Sequence, residues 1–203
     1  MEETLAEMVA ASGFEVIAPF EASGLVARDE VRDMCAADKC HAYNRSWACP
    51  PACGDLAWFQ ERFGDYDSGY VFQTIARMAD AFDYEALEAA SRLHEERLCA
   101  LAEKLSETAP ELGEPTGPPS VATAPNSPRP LLLGAGTCRL CSCCSYPDAP
   151  CRFPEKVYPS MEAAGLLVSE VCQLAGIPYY HGPGTVAYVS CVLEPSKTPG
   201  ARG

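Results

Sequence analysis

The sequence predicts an α/β layered domain: a small three- to four-stranded sheet, covered by helices on at least one face, carrying two Cys-rich metal loops. Three observations lead there. Short β-branched and aromatic runs alternate with segments of helical period along the 203 residues. Hydrophobic residues make up 48% of the chain, which is enough for a packed core. Eight of the 12 cysteines fall into two groups of four, each following a strand and preceding a helix. That placement predicts that both groups lie at the same end of the sheet.

Taken in order, residues 1–12 form a short amphipathic helix with Leu5, Met8 and Val9 on one side. Residues 14–18 read as a strand, and a turn-rich stretch then leads to the first cysteine group. Asp55 caps a short helix through Trp58, Phe59 and Phe63. Residues 70–75 are a strand with β-branched and aromatic content. The longest helix covers 83–107, where Tyr84, Leu87, Ser91, His94, Leu98, Leu101 and Leu105 recur at spacings of three and four. It stops before Pro110.

Residues 109–130 contain seven prolines and read as an extended, mobile insertion. Residues 1–203 therefore form a single metal-binding domain interrupted by that insertion. A short buried strand at 131–134 leads into the second cysteine group. Ser160 caps a helix through Met161, Leu167, Val168, Val171 and Leu174, and 185–193 form the last strand.

A net charge of −13 excludes an ordinary nucleic-acid binder, which needs Lys and Arg to displace phosphate counterions. It fits solubility, or docking on a basic protein partner. The start of the chain has no basic region followed by an apolar stretch, and no segment reaches the roughly 20 apolar residues of a membrane span. The expected location is the cytoplasm. Thiols stay reduced there, and patterned cysteines indicate metal or catalysis rather than disulfides.

Cys138, Cys141 and Cys144 form C-x2-C-x2-C, and Cys151 follows after six residues. Three evenly spaced thiolates from one short loop, completed by a fourth farther on, suit a 4Fe-4S cluster. The bacterial ferredoxin run ends C-x3-C-P, whereas Arg152 follows Cys151 here. Gly134 and Gly136 permit close backbone approach. Zinc is the alternative, since it also takes four thiolates from C-x2-C halves, but it has no use for a third evenly spaced cysteine. A metal-free redox or structural cluster is the third reading. Cys143 is out of register.

Cys35, Cys40, Cys49 and Cys53 supply four thiolates within 19 residues, with Pro50 and Pro51 stiffening the loop. These spacings suit zinc nearly as well as iron–sulfur. Spacing leaves open whether the groups hold two sites or pool their ligands around one. His41 fits a hydrogen-bonding role better than ligation. Arg45 and Arg152 are placed to offset cluster charge, and Trp47 and Trp58 to exclude water.

The same residues carry a resemblance. Cys40-x2-Tyr43-Asn44-Arg45-Ser46-Trp47-x-Cys49-Pro50-Pro51 is one motif, and Leu133-Gly134-Ala135-Gly136-x-Cys138-Arg139-Leu140-Cys141-x2-Cys144 is another. Pro150-Cys151-Arg152-Phe153-Pro154-Glu155-Lys156 and Pro159-Ser160-Met161-Glu162-Ala163-x-Gly165 follow in order. Together they resemble the uncharacterised family of predicted metal-binding proteins, domain of unknown function 2284, over most of residues 13–193. The resemblance implies metal binding and a setting largely in anaerobic bacteria and archaea. It implies no reaction. The family pattern has glycine where Asn44 stands, and it lacks the Pro-rich stretch.

Cys191 shares a strand face with Ala187, Val189 and Leu193 and reads as a buried thiol. Cys172 and Cys99 read as packing residues, His94 as a satisfied core histidine, and His181 as part of a simple connection. No phosphate loop, dinucleotide fingerprint or nucleophile elbow occurs. The expected function is iron–sulfur electron transfer, or support of a metalloenzyme system in an anaerobe, with a redox or metalloenzyme protein partner. The alternatives are a zinc-stabilised scaffold and an enzyme whose substrate meets a cluster in a pocket between the two loops.

Overall fold

A computed structural model describes residues 4–107, 129–154 and 156–196. Four strands form one antiparallel sheet in the order β1-β2-β4-β3. They are β1 (Val16–Glu21), β2 (Tyr66–Arg77), β3 (Leu131–Leu133) and β4 (Thr185–Pro195). Five helices accompany them: α1 (Leu5–Ala11), α2 (Asp29–Ala36), α3 (Leu56–Phe63), α4 (Tyr84–Glu107) and α5 (Val168–Leu174). Apart from Arg129 and Pro130, the expected Pro-rich insertion lies outside the described residues.

The central strands β2 and β4 are buried on both faces along their middles, where the polar Gln73, Thr74 and Ser190 interrupt the apolar runs. Every residue from Val71 to Ala76 is buried. On one face Phe59 and Phe63 of α3, and Val171 and Cys172 of α5, pack with Val71, Leu133, Val189, Cys191 and Leu193. On the other, Met8 and Val9 of α1 and Leu98, Leu101 and Ala102 of α4 pack with Phe14, Phe72, Leu132 and Val192. Helices thus cover both faces. Pro19, which cannot donate to a ladder, sits in the edge strand β1.

Local chemistry sets the helix starts. Thr4 and Glu7 form a capping box on α1. Asp55 Oδ1 accepts from Trp58 N at 2.7 Å and caps α3. Three expectations are corrected. Residues 29–36, expected as turn, form α2, with Asp29 and Glu30 at its positive end. Ser160 caps only a tight turn, accepting from Ala163 N at 3.1 Å, and Gly165 at φ +80° ends it; α5 starts afresh at Val168. Tyr84 is exposed, so the buried stripe of α4 starts later, at Ala90.

The strand directions correct the placement of the loops. β1 ends at Glu21 beside Ser68, whereas β3 ends at Leu133 beside Cys191 and points toward the start of β4. The two strands leading to the cysteine groups therefore leave the sheet at opposite ends. Residues 22–36 span that gap, and Arg28 N donates to Gly165 O at 2.9 Å on the way.

Candidate metal centre

The first group is built at the end of α2 and before α3. Cys35 is the next-to-last residue of α2, and Cys40 is exposed in the turn that follows. Asp38, His41 and Asn44 all have left-handed backbones, at φ +50°, +56° and +54°. Asp38 Oδ1 accepts from Tyr43 N at 3.0 Å, and Asn44 N donates to Pro50 O at 2.8 Å. These bonds fold the loop back on itself. Cys49 is 7% exposed and Cys53 fully buried, so the last two thiols belong to the core.

Burial raises the proton affinity of these thiols. Cys49 is pushed up to about 12 by burial, with Cys53 adding to the shift. Cys53 is pushed up to about 11 by burial, against the pull of the Arg32 guanidinium. Burial also raises Cys35. The proton affinity of Cys49 responds to Cys53, Cys40 and Cys35, which puts the other three within electrostatic reach of Cys49.

Arg32 was not anticipated from the sequence. It lies three residues before Cys35 on α2, hence on the same helix face. Both its terminal nitrogens donate to Gly54 O at 3.0 Å, and the guanidinium stands 5.9 Å from the centre of the Phe59 ring. Its charge favours the thiolate forms of Cys53 and Cys35. The available signal was the spacing of Arg32 and Cys35, hidden because the segment reads as turn.

The second group hangs on the loop after β3. Cys138, Cys141, Cys144 and Cys151 are all half-buried and line one cavity of about 220 Å³, together with Cys40 and His41 of the first loop. Burial pushes Cys138 up to about 11, and Glu95, Cys151 and Cys144 add to it. Glu95 Oε1 in turn accepts from Arg139 N at 3.0 Å. Cys143 is exposed and turns its thiol to Cys144 O at 3.7 Å.

The two loops are docked. Trp47 Nε1 donates to Ala149 O at 3.1 Å, and its ring meets Tyr146 edge-on with centroids 4.9 Å apart. Tyr146 Oη donates to Asn44 Oδ1 at 2.9 Å. Trp47 is thus a strut between the loops, while Trp58 packs against the core on α3. Arg45 pairs with Asp38 at 3.7 Å, and Arg152 donates to Cys143 O at 2.8 Å.

Among the described residues, no three His, Cys, Asp or Glu side chains stand together at the separations of a closed metal site. The donor set nevertheless fits a thiophilic metal: five cysteines line one cavity, Cys40 among them, and Cys35, Cys49 and Cys53 lie within electrostatic reach of Cys40 or one another. Ligation would draw the sulfurs inward and release their protons, so it is coupled to loop closure.

The remaining cysteines and histidines have other partners. Cys191 is fully buried and its thiol is pushed far up by burial. Cys172 accepts from Gln73 Nε2 at 3.5 Å, and Cys99 lies 3.8 Å from Tyr158 Oη. His94 bonds Thr74 Oγ1 at 3.0 Å and Ser190 Oγ at 2.7 Å, and burial lowers it to about 3. His181 Nε2 donates to Gln73 Oε1 at 2.7 Å, so its loop is pinned to the central strand.

A family model described as predicted metal-binding protein (DUF2284) matches residues 18–113 and 120–193. The chain belongs to that family. The match breaks only at 114–119, inside the Pro-rich stretch, and it covers both cysteine groups. No curated protein and no solved structure matches the chain. Membership supports metal binding and leaves the metal's identity open. Asn44 holds a left-handed position, which asparagine tolerates better than most residues. No helix is long and apolar enough to cross a membrane, among the described residues.

Proposed function

We propose that this is an iron–sulfur protein in which Cys138, Cys141, Cys144 and Cys151 hold a 4Fe-4S cluster. Cys35, Cys40, Cys49 and Cys53 hold a second cluster or a structural metal. One observation carries the reading: the C-x2-C-x2-C thiols and Cys151 line a single cavity roomy enough for more than one metal ion. A bound cluster would supply one-electron transfer. The chain's own residues position the thiols, dock the two loops through Trp47, and balance thiolate charge through Arg32.

Electron transfer to a redox or metalloenzyme partner in the cytoplasm of an anaerobe follows from that chemistry. Burial of Cys49 and Cys53 in the core supports a second reading for the first group alone, a closed structural zinc. Anaerobic purification with iron, sulfide and zinc analysis tests both. Two cubanes give a brown protein with about eight iron atoms per chain. Iron confined to one group, with zinc in the other, selects the mixed reading. A colourless protein with zinc alone overturns the cluster.

A further inference from the structure

Beside the first cysteine group lies a mainly apolar cavity of about 400 Å³, within the usual size of small-molecule sites (roughly 300–1,000 Å³). Val31, Met34, Leu166 and Val168 supply apolar wall, and Cys35, Cys40 and Cys49 line the side toward the metal loop. A second cavity of about 190 Å³ lies toward α4. Gly136, Thr137, Glu162, Val168 and Tyr179 line both, so the two adjoin along that wall.

Glu162 stands at this junction. It projects from the turn after Ser160, whose neighbours Met161, Ala163 and Ala164 are at most 2% exposed. The turn is held by Ala164 N to Ser160 O at 3.0 Å and by Leu166 N to Met161 O at 2.8 Å. Its Oε2 is buried and has no hydrogen-bond partner among the described residues. A buried carboxylate oxygen without a donor costs free energy, and such an exception calls for an explanation. The cations that line the two cavities do not supply one: Lys156 is engaged with Glu103, and Lys39 and Arg139 are exposed on the rims.

We propose that this cleft binds a small organic amine, its apolar body in the cavity beside Cys35 and Cys49 and its ammonium group on Glu162. The assignment rests on the cavity and the orphaned oxygen, and it holds for either metal. Glu162 supplies the charge-assisted hydrogen bond that selects amines over neutral molecules of the same shape. Tyr179, half-exposed at the shared wall, contributes contact without charge.

Calorimetric titration of the anaerobically purified, metal-containing protein tests this, with phenethylamine as probe and phenethyl alcohol as its neutral counterpart. The expected result is saturable binding, with the amine preferred by about tenfold or more. Glu162→Gln removes the preference while iron, sulfide and zinc contents stay unchanged. Tyr179→Ala weakens both probes alike. No binding, equal affinities in the wild type, or a preference that survives Glu162→Gln overturns the proposal. Loss of metal in Glu162→Gln also overturns it, by making the carboxylate a metal-side group. Should that variant not fold, unchanged affinities in Tyr179→Ala overturn the site. Metal analysis of the same samples separates these outcomes from failure of the iron–sulfur reading.

Discussion

The two cysteine groups are similar in ligand number and opposite in mechanical setting. The first is welded into the domain: Cys53 is fully buried among Phe59, Phe63 and Val71, and Cys35 closes a helix. The second is a surface loop whose cysteines are all partly accessible, held by Trp47, Tyr146 and Glu95. A metal held by the first group would act on folding, whereas one held by the second would sit near the surface, clear of the core.

Substituting one cysteine from each group is the sharpest way to break that contrast. Cys53→Ser puts a more polar hydroxyl in the core and removes a proposed ligand, and should cost about 3 kcal/mol. Cys141→Ser should cost under about 1 kcal/mol while abolishing metal at the second group. Denaturant unfolding with metal analysis on both variants measures this, and equal losses would dissolve the distinction.

Gly134→Ala examines the rigid root of the second loop. An added Cβ would lie 2.6 Å from the Tyr158 ring, with Gly134 tied to Pro159 and Met161 by backbone bonds. A loss of about 2 kcal/mol is expected, with the first group's metal retained.

The His94 network, remote from the first loop, gives a pH control. The folded value of about 3 lies below the unfolded value near 6.5, so the unfolded chain takes up the proton first. This contribution is fully present above pH ~6.5 and is lost as pH falls toward about 3, at about 1.4 kcal/mol per unit. Between pH 6.5 and 5 the protein should lose about 2 kcal/mol. His94→Asn should flatten that profile, and an unchanged slope would assign it to other groups.

Arg32→Met should weaken metal retention about tenfold at the first group and leave the second unaffected. Chelator competition resolved by site is the measurement; an equal effect on both would mean that Arg32 acts through folding. The smallest effect is expected of Trp47→Phe, which loses the bond to Ala149 O for about 1 kcal/mol. Faster proteolysis of the second loop, with the first protected, is the expected signature.

Local patterns carried much of the fold. The alternation of strands and helices, the Asp55 cap, most of α4, and the buried face holding Val189, Cys191 and Leu193 were all legible, because each depends on neighbours a few residues away. Residues 29–36 were missed because α2 is short and polar, with Val31 its only buried residue, so its period is weak. The end of the sheet from which each loop departs was misjudged because strand direction depends on pairing between residues far apart in sequence.

What the sequence determined by itself is the donor chemistry: which eight thiols are grouped, at which spacings, and in which family the chain belongs. Covalent spacing is a local property, and it survives any arrangement of the remainder. Only the tertiary structure decided that loops leaving opposite ends of the sheet meet through Trp47 and Tyr146. It alone brought Arg32 beside Cys53 and left Glu162 Oε2 buried without a donor among the described residues. Those relations arise from packing between segments more than 100 residues apart in the case of Trp47 and Ala149, where no sequence period reaches.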